Sequence, residues 1–321
     1  MFDRFGGPAD VLQLANLPEP VAAPGEVLVR MRLRPINPAD RLYIQGRYGT
    51  RPTLPAVPGV EGVGEVVALG PGVTAPAIGC RVVFWRVRGT WQEFVTVPAA
   101  DVQSMPANLD DAQAAQFIAG PLAATLVFDA ATAGATPGWV VQSAAGSSFA
   151  GLLRAIAVRS GWRIVDLVRR PEQAVELAAA GVEHALATED ADIEERLRVV
   201  TGGGARVALD AVGGATGTLL AKVLGPGGTM IVHGVLDGRP IEVHPGWLIA
   251  KGATIAGFWL DAWIRSATVA RRTAAADRAL PLVADGTLTC PVDAVYDLAD
   301  VQAALAHANG PGRRGKVLLR S

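Results

Sequence analysis

Apolar and polar positions alternate in short runs along the first hundred or so residues: Glu26 to Leu33, Glu61 to Leu69, Arg81 to Phe84 and Glu93 to Val97. Period-two alternation broken by Gly and Pro turns predicts half-buried strands, spaced as in a small barrel or sandwich. From Asp110 the pattern becomes an alanine-rich helical stretch to Phe117, and a second helix is predicted from Pro121 to Ala131, with Pro121 in its first turn.

Beyond this point strands and helices alternate. Strands are predicted at Trp139 to Ser143, Arg163 to Val168, His184 to Ala187, Arg206 to Ala211 and Thr229 to His233. Helices are predicted at Phe149 to Ser160, Pro171 to Ala180, Ile193 to Val200 and Ala215 to Leu224. A strand-helix repeat of about 25 residues specifies a parallel sheet covered on both faces, the doubly wound α/β arrangement of a Rossmann domain. Further strand signals lie near Ile241 and at Thr254 to Gly257, and a last strand is predicted at Gly315 to Leu319. No internal repeat or low-complexity linker interrupts the chain.

Length and composition narrow the class. The 321 residues exceed one ordinary core, so two domains are expected. With 29 basic and 30 acidic residues, the chain has no electrostatic footprint for nucleic acid or an anionic membrane. Small neutral partners fit better. Cys80 and Cys290 are the only cysteines, which gives neither a disulfide framework nor a CxxC metal knuckle and suggests a reducing compartment. No apolar run is long enough to span a bilayer, and MFDRFGGP has no signal-peptide pattern. A soluble cytoplasmic protein is expected.

Ligands of open parallel sheets bind beyond the carboxyl ends of the strands, where phosphate reaches the amides of a helix N-terminus. The first such turn reads VVQSAAGSSFAGLL, Val140 to Leu153. It is not a clean G-x-G-x-x-G, but Gly146, Ser147 and Ser148 are small enough for close backbone approach, Phe149 follows them, and the serine hydroxyls can bond phosphate. The alternative is a tight turn that holds no ligand. The second strand ends in IVDLVRRPEQ, with Asp166 inside the strand and Arg169 and Arg170 at its end. Arginine there favours a ribose 2′-phosphate, hence NADPH over NADH, unless both arginines are simply solvated. LDAVGG, with Val212 and Gly213, and IVHGVL, with His233 and Gly234, supply further strand ends that can lie against a planar cofactor.

The runs PGEVLVRM, NPAD at Asn37 to Asp40, PGVEGVGEVVALG, GTWQEFVTV and GKVLL span nearly the whole chain. Together they resemble a medium-chain dehydrogenase/reductase. That resemblance implies a GroES-like β-rich catalytic domain over 1–118, a Rossmann domain over 119–257, and a return to the catalytic domain over 258–321. Zinc-dependent members of the superfamily bind metal through an early-loop cysteine, the histidine of a G-H-E pattern and a later ligand. Here those first two positions hold Asn37 and Val60, beside Gly59 and Glu61, so no zinc is expected.

Among zinc-independent branches, NPADRLYIQGRYGTRPTLPAVPGVEGVG, then GTW, then GFWL with Trp263, most resembles the mitochondrial-type 2-enoyl thioester reductases. By that resemblance Tyr48 takes the catalytic tyrosine position, and Asn37 and Asp40 border the cleft. Phe258, Trp259, Leu260 and Lys316 join the cofactor set. A homodimer through edge strands near Thr254 to Gly257 is also implied.

The chemistry suits these residue types. Reduction of a double bond conjugated to a carbonyl needs hydride at the β carbon, support for the developing enolate oxygen and a proton at the α carbon. A phenol is un-ionised at neutral pH and can supply that proton or orient the thioester. Against this stand a packing role for Tyr48, beside the nearby Tyr43, and a simple turn for Asn37 and Asp40. Trp85, Trp91, Trp259 and Trp263 are candidates to line an acyl pocket, with ordinary core packing as the alternative. The expected activity is therefore NADPH-dependent reduction of enoyl thioesters. A quinone oxidoreductase and a cofactor-binding structural or RNA-binding protein with little turnover are the other readings.

Overall fold

The computed structural model describes residues 1–49, 51–310 and 312–321. It forms two compact units, one of Met1–Leu122 with Ile264–Ser321, the other of Ala123–Trp263. The sequence places the junctions at 118/119 and 257/258. In the structure the chain crosses between units at a wide helical turn, Ile118–Leu122, and within the helix Leu260–Ser266.

In the first unit, β1 (Glu26–Pro35), β2 (Val63–Leu69), β3 (Arg81–Phe84), β4 (Phe94–Pro98) and β5 (Val102–Ser104) form most of one sheet. The second unit holds β6 (Trp139–Gln142), β7 (Arg163–Val168), β8 (Ala185–Ala187), β9 (Ala205–Asp210), β10 (Leu224–Val232) and β11 (Thr254–Gly257). The chain then returns with β12 (Val292–Asp297) and β13 (Lys316–Arg320).

The first sheet runs β12-β13-β1-β2-β3-β5, with β4 also paired to β1. Registering Leu33 with Arg320 places β13 antiparallel beside β1. Alternation does what the sequence anticipates: Val27, Val29, Val66, Val82 and Phe84 point to one buried cluster. A second cluster gathers Phe2, Tyr43, Ile44, Trp91, Val317 and Leu319.

The second unit is a six-stranded sheet in the order β11-β10-β9-β6-β7-β8, parallel throughout. Its strand order reverses between β6 and β9, the position at which Rossmann domains bind dinucleotides. Val141, Val165, Leu167, Leu197, Leu220 and Met230 fill its core.

Some local expectations change. The signal near Ile241 is irregular chain, because Pro240 and Pro245 bracket it and remove ladder donors. Ile241 still packs on the core. Pro121 does not open a helix. It sits inside the wide turn Ile118–Leu122, where the Leu122 N–H reaches Phe117 O at 3.0 Å, five residues back.

Candidate active site

Asp40 lies on a short helix, Pro38–Ile44, with Asn37 as the extended residue at its start, rather than in a simple turn. Pro38 opens it, and Asp40 Oδ2 accepts the Asn37 N–H at 2.8 Å, which fixes the chain at the helix start. The Asn37 side chain is engaged at both ends of its amide. Its Nδ2 donates to Glu61 Oε1 at 2.7 Å, and the Lys316 ammonium donates to its Oδ1. Glu61 Oε2 accepts the Ala119 N–H at 2.9 Å, and the Thr90 hydroxyl donates to the Glu61 carbonyl at 2.8 Å.

Burial drives the electrostatics of this cluster. Asp40 is pushed up to about 7, mainly by burial and further by the Glu61 charge, against the Asn37 hydrogen bond and the charges of Lys316 and Arg88. Burial also raises Glu61, against its bonds from Ala119 and Asn37, and lowers Lys316. The Cys290 thiol is pushed up to about 12 by burial, so it is not a nucleophile.

Beyond Ile44, Gly46 precedes Tyr48 and Gly49 follows it, both left-handed at φ 68° and 51°. A Cβ at Gly46 would stand 2.9 Å from the Phe5 ring, so glycine is required there on two counts. Tyr48 is half-buried and packs on the cluster that includes Phe5, Tyr43 and Leu54. The Arg88 guanidinium lies 5.8 Å from the Tyr48 ring centre and 5.9 Å from that of Tyr43. Gly59, at φ 108°, lets the loop pass against Trp91, whose Cδ1 a Cβ would meet at 2.6 Å.

In the second unit, Ser147 caps the helix Ser148–Arg159, its Oγ accepting the Ala150 N–H at 3.1 Å. The left-handed position of the turn is Ala144, at φ 53°, not a glycine. A Cβ on Gly146 would meet nothing within 4 Å, so open space lies at this helix N-terminus. Its first N–H groups have no acceptor within the helix, which fits an anionic phosphate.

Ser143 Oγ donates to Asp210 Oδ1 at 2.8 Å, and the Val212 and Gly213 amides donate to the same carboxylate at 2.9 and 3.0 Å. The next strand end closes on this one: Gly234 runs against Ala211, whose carbonyl oxygen a Cβ would meet at 2.5 Å. His233 stands with its ring tilted 5.2 Å from that of Phe149 and is lowered to about 4 by burial, so it is neutral rather than a cation. Phe258 follows, its N–H on Val232 O at 2.9 Å.

Asp166 is consumed internally. Arg154 binds it through Nε at 2.6 Å and Nη2 at 3.0 Å, and Gln142 Nε2 joins at 2.5 Å. Arg169 and Arg170 stand exposed at the end of β7, with Glu189 3.9 Å from Arg169.

The tryptophans do not form one group. Trp85 is buried, with the Arg272 guanidinium 5.7 Å from its ring, and reads as core. Trp91 lines a groove of about 560 Å³ with Leu12, Leu17, Val57, Pro58 and Phe94. Asn37, Asp40 and Tyr48 do not line that groove. Trp259 and Trp263 lie one helical turn apart, the Trp263 N–H on Trp259 O at 3.0 Å, with Trp259 40% exposed. Leu260 opens the helix that Trp263 continues.

Glu61, Arg88, Arg154 and Asp210 were not in the site set drawn from sequence. Glu61 carried a signal, an acid inside the glycine-punctuated apolar run PGVEGVG. The partners of the other three are visible only in the fold.

Residues 23–107 match the alcohol dehydrogenase GroES-like domain family, and residues 151–275 match the zinc-binding dehydrogenase family. The human mitochondrial enoyl-[acyl-carrier-protein] reductase is 31% identical over 99% of this chain and 87% of its own length. An NADPH:quinone reductase structure from Bacillus thuringiensis superposes with TM-score 0.88 at 31% identity, covering 100% of this chain and 97% of that one. The Etr1p/NADP/crotonyl-CoA complex superposes with TM-score 0.84 at 26% identity, covering 100% and 98%.

The donor set does not fit zinc. Val60 offers no ligand, Asn37 Oδ1 is held by an ammonium, and among the described residues no three His, Cys, Asp or Glu side chains group around a metal position. The comparisons also overturn the expected cytoplasmic location, since the curated enoyl-[acyl-carrier-protein] reductases similar to this chain are mitochondrial. Cysteine usage and charge report redox state and solubility, and a reducing cytoplasm is not the only compartment they allow. The chain belongs to the medium-chain dehydrogenase/reductase superfamily, in its zinc-independent branch beside the enoyl-[acyl-carrier-protein] reductases.

Proposed function

We propose that the protein is a zinc-independent, NADPH-dependent reductase of conjugated carbonyl compounds that acts on trans-2-enoyl thioesters. The observation that carries this reading is the 31% identity to an enoyl-[acyl-carrier-protein] reductase across 99% of the chain. The Ser147-capped helix start with open space at Gly146, the Ser143–Asp210 strand ends and the Phe149–His233 pair would hold the dinucleotide. NADPH supplies hydride to the β carbon. Tyr48 Oη gives the proton to the α carbon or orients the thioester carbonyl, and Arg88 against its ring face limits how the phenol can turn.

Arg169 and Arg170 receive the 2′-phosphate in this reading. Replacing both with alanine is expected to weaken NADPH about tenfold or more while NADH changes little. An unchanged ratio of the two dissociation constants removes the arginines from the assignment. The protein is also expected to pair through β11, which edges the six-stranded sheet. A two-chain relative, the Etr1p/Etr2p heterodimer from Candida tropicalis, supports pairing, and light scattering tests it.

The likeness to the Bacillus thuringiensis structure favours one second reading, an NADPH:quinone oxidoreductase. That reading needs the same hydride donor but makes no demand on Tyr48. A steady-state screen of enoyl-CoA substrates against quinones, with both nucleotides, separates the two. Turnover of crotonyl-CoA or longer enoyl-CoA with NADPH is the expected result, and turnover of quinones alone sinks the thioester reading.

A further inference from the structure

We propose, resting on the reductase reading above, that Lys316 is a positioning residue of the catalytic unit. Its ammonium holds Asn37, and through Asn37 holds Glu61, so that the helix leading to Tyr48 and the turn Ile118–Leu122 are fixed to one buried cluster.

Hydrogen-bond accounting carries the inference. The ammonium on Asn37 Oδ1 fixes the amide orientation, because a flipped amide would turn its donors toward Lys316. The same orientation aims Nδ2 at Glu61 Oε1. Glu61 then has a donor on each oxygen, Asn37 on one and Ala119 on the other, an arrangement made for a carboxylate and not for a carboxylic acid. Asp40 differs: Oδ2 takes the Asn37 N–H, and Oδ1 is buried with no partner among the described residues. A buried oxygen with no donor favours the neutral acid over the carboxylate.

One ammonium and one carboxylate balance within the hydrogen-bonded set, and Asp40 stands beside them with the Arg88 guanidinium as a further positive charge facing it. Asn37 and Val60 occupy two positions at which zinc-dependent members of the superfamily place ligands. Here an ammonium of the chain itself lies on Asn37.

The charged groups facing Asp40 are Glu61 from the Pro58–Gly62 loop, Lys316 from β13 and Arg88 from the turn before Gly89. Cys290 faces Glu61 and Lys316. Asp40 keeps its proton to about pH 7 when folded, whereas an unfolded aspartate loses it near pH 4. Between those values the folded chain binds more protons than the unfolded one. Stability therefore falls as pH rises through that window, and the loss is complete above about pH 7. Without the Lys316 charge, Asp40 holds its proton more tightly and the falling limb reaches higher pH.

The test compares wild type, Lys316→Met, Lys316→Arg and Asp40→Asn for kcat, KM, NADPH dissociation constant and melting temperature from pH 4 to pH 9. Lys316→Met is expected to lower kcat about tenfold, leave NADPH affinity within about twofold, and move the pH midpoint of melting up by about one unit. Lys316→Arg restores most of each, and Asp40→Asn flattens the pH dependence. If Lys316→Met does not fold, Lys316→Gln, which keeps a donor for Asn37 without the charge, carries the same measurements.

A tenfold loss of NADPH affinity with the midpoint unmoved would overturn the proposal and make Lys316 a direct cofactor contact. Unchanged values throughout would overturn it as well. If wild type turns over no enoyl thioester, the reductase reading falls, while the melting midpoint still decides whether Lys316 and Asp40 are coupled.

Discussion

Tyr48→Phe is expected to lower kcat with an enoyl thioester by on the order of a hundredfold, a loss of about 2.7 kcal/mol of transition-state stabilisation. NADPH affinity should stay within about twofold, since the substitution removes a single hydroxyl. The ring is what packs on Phe5, Tyr43 and Leu54 and faces Arg88, and phenylalanine keeps that ring. A melting temperature close to wild type would therefore accompany the lost rate. Full thioester turnover by this variant would end the assignment of Tyr48 as proton donor or orienting hydroxyl.

The largest stability loss is expected at Asp166. Its carboxylate is completely buried and takes two bonds from Arg154 and one from Gln142. Asp166→Ala leaves a guanidinium and an amide without their acceptor, at a cost of about 3 kcal/mol. Arg154 Nη2 also holds the Ala145 carbonyl at 3.1 Å, so loosening the arginine should disturb the turn before Gly146 and weaken NADPH together with stability. Urea unfolding and nucleotide titration of the same variant check both effects. A loss below about 1 kcal/mol would show the pair to be no better than a surface ion pair. Replacing Asp166 and Arg154 together by leucine should recover part of the loss, because no charge is then left unpaired.

The strands and the βαβ repeat were legible because burial imposes a period on each: Val27, Val29 and Val66 alternate, and Val140, Val141, Val165 and Leu167 form buried runs. The Pro38–Ile44 helix was not, since seven residues are too few to show a 3.6 period. Its signal was the capping pattern, Asn37, Pro38 and Asp40, which also fits a turn. The strand Val292–Asp297 escaped because it lies at a sheet edge with much of its length exposed, and so carries little apolar alternation.

The site divides in the same way. Tyr48, Asn37 and Asp40 could be named from a local run, whereas the bond between Asn37 and Lys316 joins residues 279 apart, a pairing to which no local pattern points. Arg88 likewise gains its meaning only from two rings that the fold brings beneath it.

The Ser147 turn makes its offer to an anion almost entirely in peptide groups. The Ser147 oxygen is committed to the first turn of its own helix, and the left-handed bend is made by Ala144. Peptide N–H groups do not titrate, and no substitution short of proline deletes them. Acidity can therefore act on Asp40 while the N–H groups of this turn keep their donor character across the same range, whatever anion they are offered.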